Sequence, residues 1–208
     1  MEFVPITEKD YGRIADLHQT CYPGDFLPSF GYRFLVALYD AMFKADAVFG
    51  FVGKEDGEIV GFSLCTADAD RLFPATLRKG LLKLAWLAGL RLLQKPSILK
   101  KLFETFLYKS RASLEEVNAE MMLWAIDPKC RGRGLGTELW EACERELLKK
   151  RIERYKVTVY ADNKPANSFY RKKGFRLVRE FVLYGKKWNL YVGRIAPDSF
   201  LRLTKQTS

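Results

Sequence analysis

The chain has 208 residues, 48% of them hydrophobic, and a formal net charge of +10. That length fits one domain spanning residues 1–208 with an embellishment, and the apolar share is ample for a packed core. A lone histidine, His18, argues against a Ser-His-Asp hydrolase and a multi-histidine zinc site, so no metal is expected. Cys21, Cys65, Cys130 and Cys143 contain no C-x-x-C pair and read as reduced thiols. Met1-Glu2-Phe3-Val4-Pro5 lacks a basic, then apolar leader, and the expected location is cytoplasmic.

Phe3 to Ile6 reads as a first strand. Thr7 then caps a helix reaching about Thr20, with Glu8 and Asp10 in its first turn, and Pro23-Gly24 breaks it. Phe30, Phe34, Leu38 and Met42 recur at helical spacing and predict a second helix from Ser29 to about Phe43. Ala47 to Gly53 and Glu58 to Thr66 read as two strands joined by a hairpin turn at Glu55-Asp56-Gly57.

Residues 68–118 then interrupt the strand pattern. Two helices are expected there, from about Pro74 to Gln94 and, beyond Pro96, from Ser97 to Lys109. From Arg71 to Ser113 ten Lys and Arg face one acid, Glu104, a net +9 that leaves the remainder close to neutral. A basic, apolar insert of this kind fits several partners. It could lie on an anionic membrane surface, making the protein peripheral there. It could attract an acidic substrate such as a lipid- or nucleotide-linked amino sugar. It could also be an ordinary helical lid or a homodimer surface. Nucleic acid is the weaker option, because no recognition motif accompanies the charge. Leu81 to Leu93 is too short, and too interrupted by Lys83 and Arg91, to span a bilayer.

Met121-Met122-Leu123-Trp124-Ala125-Ile126 reads as a buried strand beginning at Glu120, and Thr137 to Lys150 as a helix. Between them stands Arg131-Gly132-Arg133-Gly134-Leu135-Gly136. A glycine-rich turn between a strand and a helix N-terminus can hold a phosphate, because first-turn N–H groups and the helix dipole both favour an anion. Gly134 and Gly136 allow close backbone approach, and Arg131 and Arg133 can add charge-assisted hydrogen bonds. The spacing is neither G-x-G-x-x-G nor G-x-x-x-x-G-K-[ST], which excludes the dinucleotide fingerprint and the P-loop. A strand from Lys156 to Ala161 follows. Next comes a short helical segment, Asn163-Lys164-Pro165-Ala166-Asn167-Ser168-Phe169-Tyr170-Arg171-Lys172-Lys173-Gly174-Phe175. Pro165 fits its first turn and Gly174 its left-handed end. Phe175 to Tyr184 and Trp188 to Ile195 read as a closing antiparallel pair, turning at Gly185-Lys186-Lys187.

R-x-x-G-x-G at 131–136 and N-x-x-A-x-x-F-Y-x-x-x-G-F at 163–175 together resemble the GNAT superfamily of acyl-CoA-dependent N-acetyltransferases. The motifs themselves occupy about residues 119–175. The resemblance implies a GNAT fold of α/β (α+β) class: a mostly antiparallel mixed sheet flanked by helices, here with a helical insert between strands 3 and 4. It implies acetyl-CoA as co-substrate and direct transfer to a primary amine of a small molecule or peptide. The pyrophosphate falls on residues 131–136, with Leu135 among them, and the pantetheine arm near Asn163 and Ala166. Backbone groups of about Trp124, Ala125 and Ile126 supply amide and oxyanion contacts. Tyr170 becomes the general acid toward the departing thiolate. Ala119-Glu120 resembles the base position of the histone-acetylating branch; a surface carboxylate at a strand edge and water as the base remain alternatives. The base position of the branch acting on ribosomal-protein N-termini falls on Thr158, which cannot serve. The rival reading is a non-catalytic acyl-CoA-binding or membrane-associated protein of the same fold.

Overall fold

A computed structural model describes residues 1–99, 104, 112–114 and 116–195. One seven-stranded sheet organises them, in the order β1-β2-β3-β4-β5-β7-β6. The strands are β1 Glu2–Pro5, β2 Phe49–Glu55, β3 Glu58–Thr66, β4 Glu120–Ile126, β5 Arg154–Tyr160, β6 Arg176–Leu183 and β7 Lys186–Arg194. All neighbours are antiparallel except β4 and β5, which run parallel.

Among the described residues four α-helices cover the two faces, α1 Tyr11–Cys21, α2 Tyr32–Lys44, α4 Leu135–Lys149 and α5 Lys164–Lys172, and a fifth, α3 Ala69–Gln94, packs on α2. One face buries α1 and α2 through Ile14, Leu17, Leu35 and Tyr39 against Val52, Phe62 and Leu64. The other buries α4 and α5 through Trp140, Leu147 and Tyr170 against Met121, Tyr155, Val157 and Tyr191. The strands serve both faces by alternation: Phe62 and Leu64 of β3 face one way, and Ser63 meets Cys143 of α4 on the other at 2.9 Å.

Most predicted elements are found within a few residues of their expected ends. The differences have local causes. The helix expected from Thr7 begins as a 3-10 turn, Glu8–Asp10, because the Asp10 carboxylate accepts both the Thr7 N–H (2.8 Å) and hydroxyl (2.7 Å). The second helix starts at Tyr32 rather than Ser29, because Gly31 sits at φ +93° and separates it from a short turn at Leu27–Phe30. The insert helix α3 begins five residues before Pro74, because Asp68 caps it by accepting from the N–H groups of Asp70 and Arg71 at 3.0 and 3.1 Å. The helix expected over Ser97 to Lys109 lies largely outside the described residues.

His18 is buried in α1 with its Nδ1 2.6 Å from the Tyr39 hydroxyl. Burial pushes its pKa down from 6.5 to about 4. The unfolded chain therefore takes up a proton below about pH 6.5, and the folded chain only near pH 4. Stability is lost as pH falls through that window, by up to about 3 kcal/mol. Urea unfolding followed from pH 7 to 4.5 should show this loss, and His18→Gln should flatten it. An equally steep loss in His18→Gln would assign the pH dependence elsewhere.

Candidate active site

The parallel pair β4–β5 forms a fork. Its only registered pair among the described residues is Glu120 opposite Lys156, backed by the Lys156 N–H donating to the Ala119 carbonyl at 2.9 Å. Beyond that point β4 runs on to Ile126 and β5 to Tyr160 without pairing. Along β4, alternate residues face β3: the Asp127 N–H donates to the Val60 carbonyl at 2.8 Å, so Ala125 also turns its amide toward β3. Trp124 and Ile126 turn theirs to the open side. The three backbone positions expected to bind a ligand are thus not equivalent: Trp124 and Ile126 present groups to the fork, and Ala125 does not.

Open-edge carbonyls need partners, and the chain supplies them. The Tyr22 hydroxyl, from the end of α1, donates to the Trp124 carbonyl at 2.7 Å. Arg131 Nε donates to the Ile126 carbonyl at 3.1 Å, with Cys21 Sγ at 3.4 Å. Burial raises the Tyr22 pKa to about 12, so it stays a donor.

The Arg131–Gly136 loop closes the wide end of the fork. Gly132 and Gly134 have φ of +78° and +81°, a conformation L side chains rarely adopt. A Cβ on Gly134 would meet nothing within 4 Å, so the loop is open above it. Gly136 is glycine for another reason: a Cβ there would lie 2.8 Å from the Trp124 ring, so this residue lets α4 pack on β4. First-turn N–H groups at Leu135 and Gly136 have no intrahelical acceptor and point out of the helix end. The two arginines expected to face a phosphate are turned elsewhere. Arg131 reaches back to Ile126, and Arg133 makes a two-pronged ion pair with Glu55 at the end of β2.

Helix α5 forms the opposite wall. Asn163 caps it, accepting from the Ala166 N–H at 3.2 Å. Tyr170 is 7% exposed and packs against Trp140, Phe175 and Tyr191. Burial first, then Tyr22 and Tyr191, raise its pKa, so at neutral pH the phenol keeps its proton. The Trp124 indole lies between α4 and α5, 5.3 Å from Trp140 and 4.9 Å from Phe169. Its buried N–H has no acceptor among the described residues.

Glu120 is not a surface carboxylate. It is 4% exposed at the base of the fork, with one oxygen 3.9 Å from Lys156 Nζ and the other 3.5 Å from the Thr158 hydroxyl. Lys156 is equally buried and donates to the Ala112 carbonyl at 2.9 Å. A buried ammonium needs its counter-charge, so this geometry makes Glu120 the partner that keeps the fork's vertex closed.

Three features carried no signal in the sequence reading. Asn167, 3% exposed, donates to the carbonyls of Tyr160 (2.8 Å) and Asn163 (2.7 Å) and accepts from Asn189 (2.7 Å) and the Tyr191 hydroxyl (2.9 Å). All four of its bonding positions are filled, which pins α5 to β5 and β7. Tyr22 and Asp25 sit in the segment read only as a helix break. Asp25 accepts from the Tyr160 hydroxyl, and Lys186 lies 3.5 Å from the same oxygen with its ammonium 4.1 Å from the Tyr160 ring centre. The α1–α2 loop, the end of β5 and the β6–β7 turn therefore meet at one mouth.

These elements define an α+β domain whose sheet forks between two parallel strands, with a phosphate-type glycine loop at the wide end. A family model described as the Acetyltransferase (GNAT) family matches residues 11–175, and the chain belongs to that family. The chain is 37% identical over 67 residues to a mycothiol acetyltransferase of Saccharomonospora viridis, a stretch that covers 32% of this chain and 22% of that protein. The chain thus spans well under half the length of the curated relatives it matches. Among solved structures, the ribosomal-protein-alanine N-acetyltransferase of Brucella melitensis superposes with a TM-score of 0.62 at 11% identity, over 94% of this chain and 100% of that one. A GNAT family acetyltransferase from Elizabethkingia anophelis with acetyl-CoA bound gives 0.53 at 12% identity, over 93% and 97%. These likenesses show the shared fold.

Glu120→Gln should strand the Lys156 ammonium and lower stability by about 3 kcal/mol, read from urea unfolding. Adding Lys156→Met should recover most of that loss. An unchanged unfolding midpoint in Glu120→Gln, together with lost turnover, would instead return Glu120 to the role of base.

Proposed function

We propose that the protein transfers an acetyl group from acetyl-CoA to a primary amine, within a ternary complex. The observation that carries this reading is the fork itself: an open β4 edge set between a helix N-terminus and a protonated, buried tyrosine. The local chemistry fits CoA. Gly132, Gly134 and the first-turn amides of α4 form an uncrowded cradle for the pyrophosphate. The Trp124 and Ile126 backbone groups and the orphan Trp124 indole N–H suit the amides of a pantetheine arm. Asn163 and Ala166 at the start of α5 border the same arm.

The thioester supplies an already activated acyl group. The protein's own contribution is placement, amide donors for the developing oxyanion, and a proton for the leaving thiolate. Tyr170 is the residue that holds such a proton. The neutral amine is generated by water at the mouth rather than by Glu120, whose carboxylate is engaged with Lys156. The acceptor in this reading is a small-molecule or peptide amine; the Asp25 carboxylate and the Tyr160 ring at this mouth are groups that hold a cation, and here they hold the Lys186 ammonium.

Tyr170→Phe should lower kcat by roughly 10- to 1,000-fold in a CoA-release assay, with CoA affinity little changed. Unchanged turnover would remove the tyrosine from the mechanism. Gly134→Asp should abolish CoA binding by calorimetry, because a carboxylate then stands in the phosphate cradle. Asp tolerates the left-handed conformation better than most residues, so the fold should survive the change. Normal CoA affinity in Gly134→Asp would refute the loop assignment.

A further inference from the structure

Helix α3 has two apolar sides, and among the described residues one is packed and the other exposed. Its inner side packs on α2: a Cβ on Gly80 would lie 2.6 Å from the Ala41 methyl, and Leu84 is buried. Its outer side carries Leu82, Trp86 and Leu93, which are 86%, 68% and 83% exposed. Their spacings of four and eleven residues return to one side of a helix. Three large apolar side chains this exposed, on one helix side, mark a contact surface rather than scatter. Exposed Arg78, Lys79 and Lys83 flank the ridge, and positions 71–94 contain no Asp or Glu.

That charge pattern discriminates between occupants. A second copy meeting this ridge about a two-fold axis would set cations against cations, with no acid at positions 71–94 to pair them. An anionic lipid surface complements the pattern on both counts. Leucines and a tryptophan suit the interfacial zone, and Lys and Arg suit the headgroups. No helix among the described residues is long and apolar enough to cross a membrane, so the contact is one of lying on the surface.

We infer that the outer face of α3 docks the protein on an anionic bilayer surface. The inference stands apart from acetyl transfer and needs no CoA. It does bear on the active site, because α3 is tied to the acceptor mouth. Arg91 donates to the Ser29 carbonyl at 2.9 Å, beside the Asp25 loop, and Glu104 of the insert accepts from the Tyr184 N–H at the β6–β7 turn. Docking would hold that mouth near the lipid surface, within reach of an amine displayed there.

The test is co-sedimentation of the full chain with vesicles of phosphatidylcholine, alone or mixed with phosphatidylglycerol. The wild type should bind the phosphatidylglycerol vesicles, with affinity falling as salt rises, and leave pure phosphatidylcholine largely unbound. Leu82→Ser with Leu93→Ser should weaken binding by at least about tenfold, because two inserted side chains are lost. Both sites are exposed, so thermal unfolding of that variant should match the wild type. Lys79→Glu with Lys83→Glu should weaken binding as well. Equal binding to both vesicle types, or unchanged binding by the serine variant, would overturn the inference. So would absent vesicle binding together with a dimer in ultracentrifugation that the serines dissociate.

Discussion

The parting of β4 from β5 after one residue pair is the constraint on which the site depends. Where two parallel strands continue side by side, the backbone amides that each turns toward the other are consumed. Here the pairing stops at Glu120 and Lys156, and the groups beyond become available. A buried ion pair sits at the vertex, where the strands must not slip, and the Asn167 network ties α5 to β5 and β7. One device closes the narrow end, and the other fixes the far wall that carries Tyr170.

An open strand edge inside a protein would leave polar groups without partners. Tyr22, Cys21 and Arg131 meet that need by donating to the Trp124 and Ile126 carbonyls. Two of the three lie in or next to the loop that follows α1, so that loop and the β4 edge are linked by hydrogen bonds. A ligand that claimed these carbonyls would have to release Tyr22 or Arg131. Arg131 and Arg133 are held by Ile126 and Glu55 here, and both contacts are at the surface, where exchange for a phosphate is inexpensive.

The elements with strong local grammar were legible in the sequence. Asp56-Gly57 announced its hairpin because both residues take positive φ, and Pro165 and Gly174 bounded α5 because one suits a first turn and the other a left-handed end. The phosphate-type loop was legible for the same reason, since Gly132 and Gly134 are needed for backbone shape. What the sequence did not carry was tertiary. Glu120 read as a candidate base or an edge carboxylate, and its ion-pair partner Lys156 stands 36 positions later. Gly136 resembled a ligand glycine, and only packing shows that Trp124 fills its Cβ space. Asn167 accepts from partners 22 and 24 positions away and Tyr22 donates to one 102 positions away, distances that no local pattern encodes. The insert's charge was plain in the sequence, but which of its leucines face outward required the helix to be placed against α2.

Hydrogen exchange at single-amide resolution, with and without CoA, tests the fork most directly. A CoA site there predicts slowed exchange at Trp124 and Ile126 and across residues 131–136, with Ala125 unchanged because β3 already holds its amide. Protection confined to other parts of the chain, or none at all under saturating CoA, would contradict it.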